Sequence, residues 1–560
     1  MRNLALILFL LCTLGNFKAQ AADQNFARPN IIVILVDDMG WSDIGSYGGE
    51  IPTPNLDKLA ENGLRYSQFY NTSRCSPTRA SLLTGLYPHQ AGLGYLESLA
   101  IPHSQGTHGK LANRAVTIAE VLSTAGYFTA MTGKWHIGQT RNVPPWKRGF
   151  HRSLSHSLGA IYFPDQKTKS EKNLYLNGKP VPFNSPVLSK DYWYSTDLWT
   201  TWGTKFIDEA LANEQPFFLY LAHVAPHFPV MAPAADIERY RGKFMVGWDK
   251  LRKQRYKRQI KMGLIKKRWK LSDRLPEVPA WDDISLQEQE RYDHLMAVYA
   301  AAIDRMDRSV GNLVKHLQTK NILDNTLILF MSDNGSSAEG GPLGVSGGSP
   351  LGGPSSRVFV GMNWATLHDT PFRYFKHFTH EGGISTPLIA HWPNGIDKKL
   401  NGSINHEPGH VIDIMSTAVE LSGAHYPNKF NGHDILPQEG TSLVPTFSNR
   451  TLIRNEPLFW EHEGNRAVRL GKWKLVSKYL GPWQLYNLDK DRTETRDLFT
   501  RYPKIARDLI VKYENWVQSD LVDQWRGPER PNYGSTWTAK PSKYLDSRLT
   551  PKTKKEKVNQ

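Results

Sequence analysis

The run Asn30-Ile31-Ile32-Val33-Ile34-Leu35-Val36 carries no polar residue after its first position, and most of it is β-branched. A strand with one wet face alternates apolar and polar side chains. This one does not, so it must be covered on both faces, and such strands belong to parallel sheets packed between helices. Further strands are expected at Tyr127 to Thr132, Pro216 to Leu221, Thr326 to Met331 and Thr386 to Ala390. Helical patterns lie between them at Thr53 to Ala60, Ala115 to Ala125, Phe206 to Ala212 and Tyr292 to Lys320. Strand–helix alternation of this kind defines an α/β fold, with a large, mostly parallel sheet flanked by helices. At 560 residues the chain exceeds what one core usually serves, and its 40% hydrophobic content is ample for a second.

In open sheets of this class, chemistry collects beyond the carboxyl ends of the strands. Asp37 and Asp38 follow the first strand, and Lys134, Trp135 and His136 the second. His223 and His227 follow the third, and Asp333 and Asn334 the fourth. Lys376 comes just before the last, in the segment Phe372 to Gly383. Asp37, Asp38, Asp333 and Asn334 offer oxygen donors, which suit a hard cation such as Ca²⁺ or Mg²⁺. Taken singly, Asp333-Asn334-Gly335 reads first as a turn and Asp37-Asp38 as a helix cap or loop; their combination with Cys75 reverses that reading. Arg79, Lys134 and Lys376 supply fixed positive charge for an oxyanion.

The chain has two cysteines. Cys12 lies in an N-terminal apolar run, so Cys75 stands alone in Cys75-Ser76-Pro77-Thr78-Arg79-Ala80-Ser81-Leu82-Leu83-Thr84-Gly85. Pro77 suits the first turn of a helix that Thr84-Gly85 would stop, which puts residue 75 at a helix N-terminus, where the dipole favours anions. Arg74 and Arg79 add charge there. By spacing alone, a buried structural thiol remains open beside a reactive one.

Cys75 to Gly85 resembles the signature of the type I sulfatases, members of the alkaline phosphatase superfamily. The resemblance extends in order through Val36-Asp37-Asp38-Met39-Gly40-Trp41, Thr132 to Gly138, Ala225-Pro226-His227-Phe228-Pro229, Ser332 to Gly335, and Lys376 with His380-Glu381-Gly382-Gly383. Within that family the chain resembles the bacterial arylsulfatases. The resemblance implies an alkaline-phosphatase-like catalytic fold and oxidation of Cys75 to formylglycine (3-oxoalanine) by a formylglycine-generating or anaerobic sulfatase-maturating enzyme. The hydrate would be the nucleophile, and its second hydroxyl would release sulfate without an incoming water. Asp37, Asp38, Asp333, Asn334 and residue 75 would hold Ca²⁺, with Mg²⁺ the alternative. Arg79 would hold the hydrated aldehyde and His136 would act as base. Lys134, His227 and Lys376 would grip the sulfate, with His227 or Lys376 protonating the leaving oxygen. Two other classes stay open: a phosphate or phosphonate ester hydrolase of the same superfamily, and a non-catalytic polyanion-binding relative.

Residues 1–21 read as a signal peptide: Arg2, the apolar run Leu4 to Leu14, then Ala19-Gln20-Ala21. Export to the periplasm or outside the cell argues against a nucleic-acid partner, and no other segment reads as a membrane span. The net charge of +16 then suits a sulfated small molecule, oligosaccharide or polysaccharide. Lys250 to Lys270 is dense in Lys and Arg and reads as a solvated helical insertion, with polyanion binding the alternative. Gly340 to Ser356 reads as a long loop near Asn334. Leu367, His368 and Asp369 depart from the family pattern, where an Asn is common.

Residues 28–430 are expected to form the catalytic domain and 431–540 a smaller α+β subdomain, with the boundary within Gly423 to Pro445. That subdomain is expected to hold a small antiparallel sheet, with strands such as Arg466 to Arg469 and Lys472 to Val476, and a helix over Lys504 to Gln518. Residues 541–560 read as a basic, disordered tail.

Overall fold

Alternate residues of the first strand diverge to opposite sides of the sheet. Ile32, Ile34 and Val36 enter one hydrophobic core, while Ile31, Val33 and Leu35 enter another. This computed structural model describes residues 28–522 apart from 102, 158, 168–172 and 520. The expected leader and basic tail lie outside the described residues.

The strands are β1 (Asn30–Val36), β2 (Leu64–Tyr70), β3 (Phe128–Lys134), β4 (Arg152–His156), β5 (Asn173–Leu176), β6 (Lys179–Pro182), β7 (Phe217–Ala222) and β8 (Thr326–Ser332). The main sheet runs Ser403–Asn405, β2, Ser385–His391, β8, β1, β7, β3, β4, β5, β6. From β8 to β4 every neighbour is parallel. The strand Ser385–His391 differs: it runs antiparallel to both β2 and β8. It therefore starts at the edge where β1, β2, β3, β7 and β8 end, and the segment before it, with Lys376, arrives at that same edge.

Three expected helices shift at their starts, the one expected from Tyr292 beginning at Leu286, where Ser285 caps it. The helix expected from Ala115 begins at Ile118, because Thr117 and Glu120 close a capping box. The helix expected from Phe206 begins at Ser195, and its Thr-rich first turns hide the helical signal. The Ser195–Ala212 and Leu286–Thr319 helices pack together on one side of the sheet. The Cys75–Thr84, Ile118–Thr124 and Asp413–Ser422 helices pack on the other. The Gly340 to Ser356 stretch is mostly loop, with one short strand, Val345–Gly347, paired to Arg357–Phe359.

A four-stranded antiparallel meander follows, Leu458–His462, Asn465–Leu470, Trp473–Ser477 and Gln484–Asn487, with the Pro503–Ser519 helix across it. Trp516 of that helix stacks on Phe459 at 4.9 Å. The meander is fastened to the main body by buried charge. Lys474 Nζ lies 2.9 Å from Glu381 Oε1 and 2.8 Å from Glu494 Oε1, and Arg492 Nε lies 2.7 Å from Glu381 Oε2.

Candidate active site

Cys75 opens an α-helix that runs to Thr84. Arg74 before it is extended and its side chain does not cap the helix, so the positive end of the helix dipole lies at residue 75. Gly85, at φ +70, ends the helix as the sequence predicts. Since β2 leads into this helix, the helix begins at the carboxyl edge of the sheet, and Cys75 is only 2% exposed.

The carboxyl ends of β1 and β8 lie side by side, with Val36 opposite Ser332 in register. Asp37, Asp38 and Asp333 therefore meet, and their carboxylate oxygens lie within 4.8 Å of one another. Asp38 takes a left-handed conformation, φ 68, that a non-glycine residue rarely adopts. Asn334 Nδ2 donates to Asp38 Oδ1 at 2.7 Å. Asp37 Oδ1, Asp38 Oδ2 and Asn334 Oδ1 are buried with no hydrogen-bond partner. Buried acceptors without donors are costly. Three of them in one oxygen-rich cluster fit a hard cation, which would take their lone pairs together. A second grouping, Asp37, Cys75 and His227, brings residue 75 to the same place, with donor atoms again within 4.8 Å.

Cations ring this cluster. Lys134 Nζ donates to Asp37 Oδ2 at 2.6 Å, and Lys376 Nζ donates to Asp38 Oδ1 at 2.6 Å. Arg79 donates twice to Asp333 Oδ2, at 2.8 and 3.1 Å, and to the Lys134 carbonyl at 2.9 Å, and its Nη2 lies 3.4 Å from Asp37 Oδ2. Burial alone would push the Cys75 thiol up, but the Lys376 and Lys134 charges and a hydrogen bond with His227 bring it down to about 6. Burial also raises Asp38 and Asp333 above the ordinary carboxylate range. Asp37 moves the other way: burial opposes ionisation, but the surrounding cations, Lys134 foremost, hold it well below that range. Burial opposes the charge on Lys376, but Asp38, Cys75 and Glu339 together keep it firmly protonated.

The two histidines are held neutral, first by burial and then by Lys134. His136 sits at φ 58, with Nδ1 buried and unpartnered. His227 Nδ1 donates to the Phe228 carbonyl at 2.5 Å, which turns Nε2 toward the site, 3.6 Å from Asp38 Oδ2. All ten positions singled out from sequence, Asp37, Asp38, Cys75, Arg79, Lys134, His136, His227, Asp333, Asn334 and Lys376, thus lie at one edge of the sheet. His223, which also follows β7, is fully buried, and its pKa falls to about 3 on that account.

Some neighbours were not singled out from sequence. Glu339 lies 2.6 Å from Arg74 and 3.7 Å from Lys376, tying the residue before Cys75 to the lysine opposite. Its one signal is a lone charge beside a Gly/Ser-rich loop. Tyr220, inside β7, places its hydroxyl 3.5 Å from Arg79. His377, His462 and Glu463 cluster nearby, with ring nitrogens and carboxylate within 4.8 Å, and the His377 N–H donates to the Ser73 carbonyl at 2.9 Å. The unusual His368 and Asp369 brace the site loops: His368 Nδ1 is 2.8 Å from Ser336 Oγ, and Asp369 accepts from the Trp41 and Ser336 N–H groups.

A buried nucleophile at a helix N-terminus, facing a cation-ready carboxylate cluster and ringed by lysine, arginine and neutral histidine, is the apparatus of an enzyme that cleaves anionic esters. Comparison with known proteins narrows the class. A family model described as Sulfatase matches residues 29–424, and one described as N-sulphoglucosamine sulphohydrolase, C-terminal, matches residues 371–518. An uncharacterized sulfatase of Schizosaccharomyces pombe is 34% identical over 551 residues, covering 90% of this chain and 94% of the relative. The arylsulfatase of Klebsiella aerogenes is 33% identical over 446 residues, covering 76% of this chain and 93% of the relative. The crystal structure of Ps i-CgsB in complex with k-i-k-neocarrahexaose matches with a TM-score of 0.66 at 28% identity, covering 89% of this chain and 95% of that one. The chain belongs to the sulfatase family and is a sulfuric ester hydrolase.

Proposed function

We propose that this protein removes sulfate from sulfated carbohydrate, and from aryl sulfates in vitro, using residue 75 as formylglycine beside bound Ca²⁺. The observation that carries this reading is the position of Cys75, which opens a helix against His227 and Asp37 with Lys134 and Lys376 acting on it. Formylglycine would supply a hydrated aldehyde with one hydroxyl to attack sulfur and another to expel the sulfate. Asp37, Asp38, Asp333, Asn334 and residue 75 would hold the ion, which would offset the charge of the ester.

The chain's own groups then have separable tasks. Lys134 and Lys376 would present ammonium groups to the sulfate oxygens, offsetting the repulsion between an anionic ester and an anionic nucleophile. Arg79, spanning Asp333, Asp37 and the Lys134 carbonyl, would hold the ligand loops in register and lend charge to residue 75. His136, kept neutral, is suited to take a proton from residue 75. His227 or Lys376 would protonate the leaving oxygen. A carbohydrate substrate is supported by the oligosaccharide in the Ps i-CgsB structure and by the excess of basic residues. The leader-like start supports export, and the family match over residues 29–424, with a separate four-stranded sheet following it, supports a catalytic unit over 28–430 and a smaller one beyond it.

The test is free sulfate released from an aryl sulfate by protein produced together with a maturation enzyme, with Cys75→Ala as control. Release by the parent chain alone, with formylglycine found at position 75 by peptide mass spectrometry, is the expected result. Cleavage of matched aryl phosphonates or phosphates in preference to the sulfate would overturn it.

A further inference from the structure

The basic run after residue 247 folds as a helix, Trp248–Lys261, whose two faces do different things. Trp248, Leu251, Arg252, Arg255 and Gln259 are buried, at the three- and four-residue steps of a helical stripe. Arg255 Nη1 donates to Ser42 Oγ and to the Leu367 carbonyl at 3.0 Å and to Asp43 Oδ1 at 3.0 Å. Gln259 Nε2 donates to Thr370 O at 2.8 Å. The inner face thus braces the loop that leaves Asp37 and Asp38.

The outer face is another matter. Lys250, Lys253, Lys257 and Lys261 are all exposed, spaced by three, four and four residues, so they form one stripe. Among the described residues no carboxylate lies within 4.0 Å of any of the four ammonium groups. The nearby acids are spent elsewhere: Glu50 on Arg255 and Arg258, and Asp249 on Arg274. Lys266, Lys267 and Lys270 continue the exposed charge past the helix. Like charges at this spacing repel one another, and no ion pair among the described residues relieves them. The stripe is about 16 Å long at the helical rise.

We infer that this face docks a polysulfated polysaccharide, holding one stretch of a sulfated polymer while another occupies the catalytic edge. The inference rests on the proposed carbohydrate substrate and adds a second contact to it. Its basis is charge complementarity: an uncompensated row of ammonium groups fits a row of sulfate esters, and no apolar surface is needed. Two contacts on one polymer turn the second encounter into an intramolecular one and raise the local concentration of esters at the active site.

The experiment uses the full chain carrying Cys75→Ala, which cannot turn over, with dextran sulfate as probe and neutral dextran as control. Dextran sulfate is expected to bind with marked salt dependence, and dextran not at all. Adding Lys250→Glu, Lys253→Glu, Lys257→Glu and Lys261→Glu should weaken binding at least about tenfold and flatten the salt dependence. A chain with the same charge change elsewhere, at Lys58, Lys315, Lys398 and Lys504, should lose far less. In the active enzyme, the stripe variant should keep aryl sulfate kcat/KM within about twofold while losing efficiency on the polymer. Equal loss in both charge variants would reduce the effect to net charge and overturn the proposal. So would dextran sulfate binding abolished by a small aryl sulfate alone. Failure of the parent enzyme on aryl sulfates would strike the proposed reaction but leave this binding test standing.

Discussion

Cys75 is the residue on which the proposed chemistry turns. A serine there keeps a nucleophilic oxygen but lacks the second hydroxyl that a hydrated aldehyde provides. Cys75→Ser, expressed so that position 75 stays serine, is expected to release one equivalent of phenol from an aryl sulfate and then stop. Sustained turnover by a verified serine enzyme would contradict the mechanism. The surrounding residues were legible in the sequence to different degrees. Asp37, Asp333 and Lys134 could be found because each sits at the end of a strand that announces itself. Glu339 could not, since its pairing with Arg74 joins positions far apart in the chain across a loop without periodicity.

At the level of elements, the buried strands were readable because both of their faces need apolar cover. Direction was not readable: the buried strand Ser385–His391 would look the same parallel or antiparallel, and only the paths of the neighbouring segments reverse it. Helix starts were hidden where caps and threonines interrupt periodicity. Gly133, near the end of β3, shows how tightly an element must be built to deliver a side chain. It sits at φ +105, and a Cβ there would lie 1.9 Å from the Ala222 carbonyl oxygen of β7. Gly133→Ala is expected to cost about 3 kcal/mol or more, and to cut aryl sulfate kcat/KM by displacing Lys134. Gly126→Ala, also at positive φ but with nothing within 4 Å, is the comparison and should cost only about 1 kcal/mol. Denaturant unfolding and kinetics on the two variants check both statements; equal losses would remove the packing argument.

Across the whole molecule, buried charge joins the meander to the catalytic body. Glu381 accepts from the Tyr70 hydroxyl at 2.9 Å and faces Lys474 and Arg492. Burial opposes its ionisation, but Lys474 and Arg492 hold it down to about 2, against an ordinary 4.5. A carboxylate lowered in the folded state stabilises fully above its unfolded value, and that contribution is lost as pH falls from about 4.5 toward 2. Glu381→Gln, which leaves two buried cations short of a partner, is expected to lose about 3 kcal/mol near neutral pH. The parent should also lose stability faster than the variant on acidification through that window; parallel acid profiles would assign the pH dependence elsewhere. Cation removal acts at the same scale. Dialysis against a chelator is expected to lower Tm by about 5 °C, with Ca²⁺ restoring it at lower concentration than Mg²⁺. No change in Tm would argue against an ion among Asp37, Asp38 and Asp333.

The reversed strand also sets a clock. Cys75 leaves the ribosome with the first part of the chain, but its surroundings are completed only when Lys376 and Ser385–His391 arrive about 310 residues later. At roughly 5–20 residues per second, that leaves about 15–60 s during which the thiol is on a growing chain and its final pocket cannot close. In the finished fold it is 2% exposed. If residue 75 is oxidised as proposed, an enzyme that must grasp the thiol would have its opportunity before that strand is laid down.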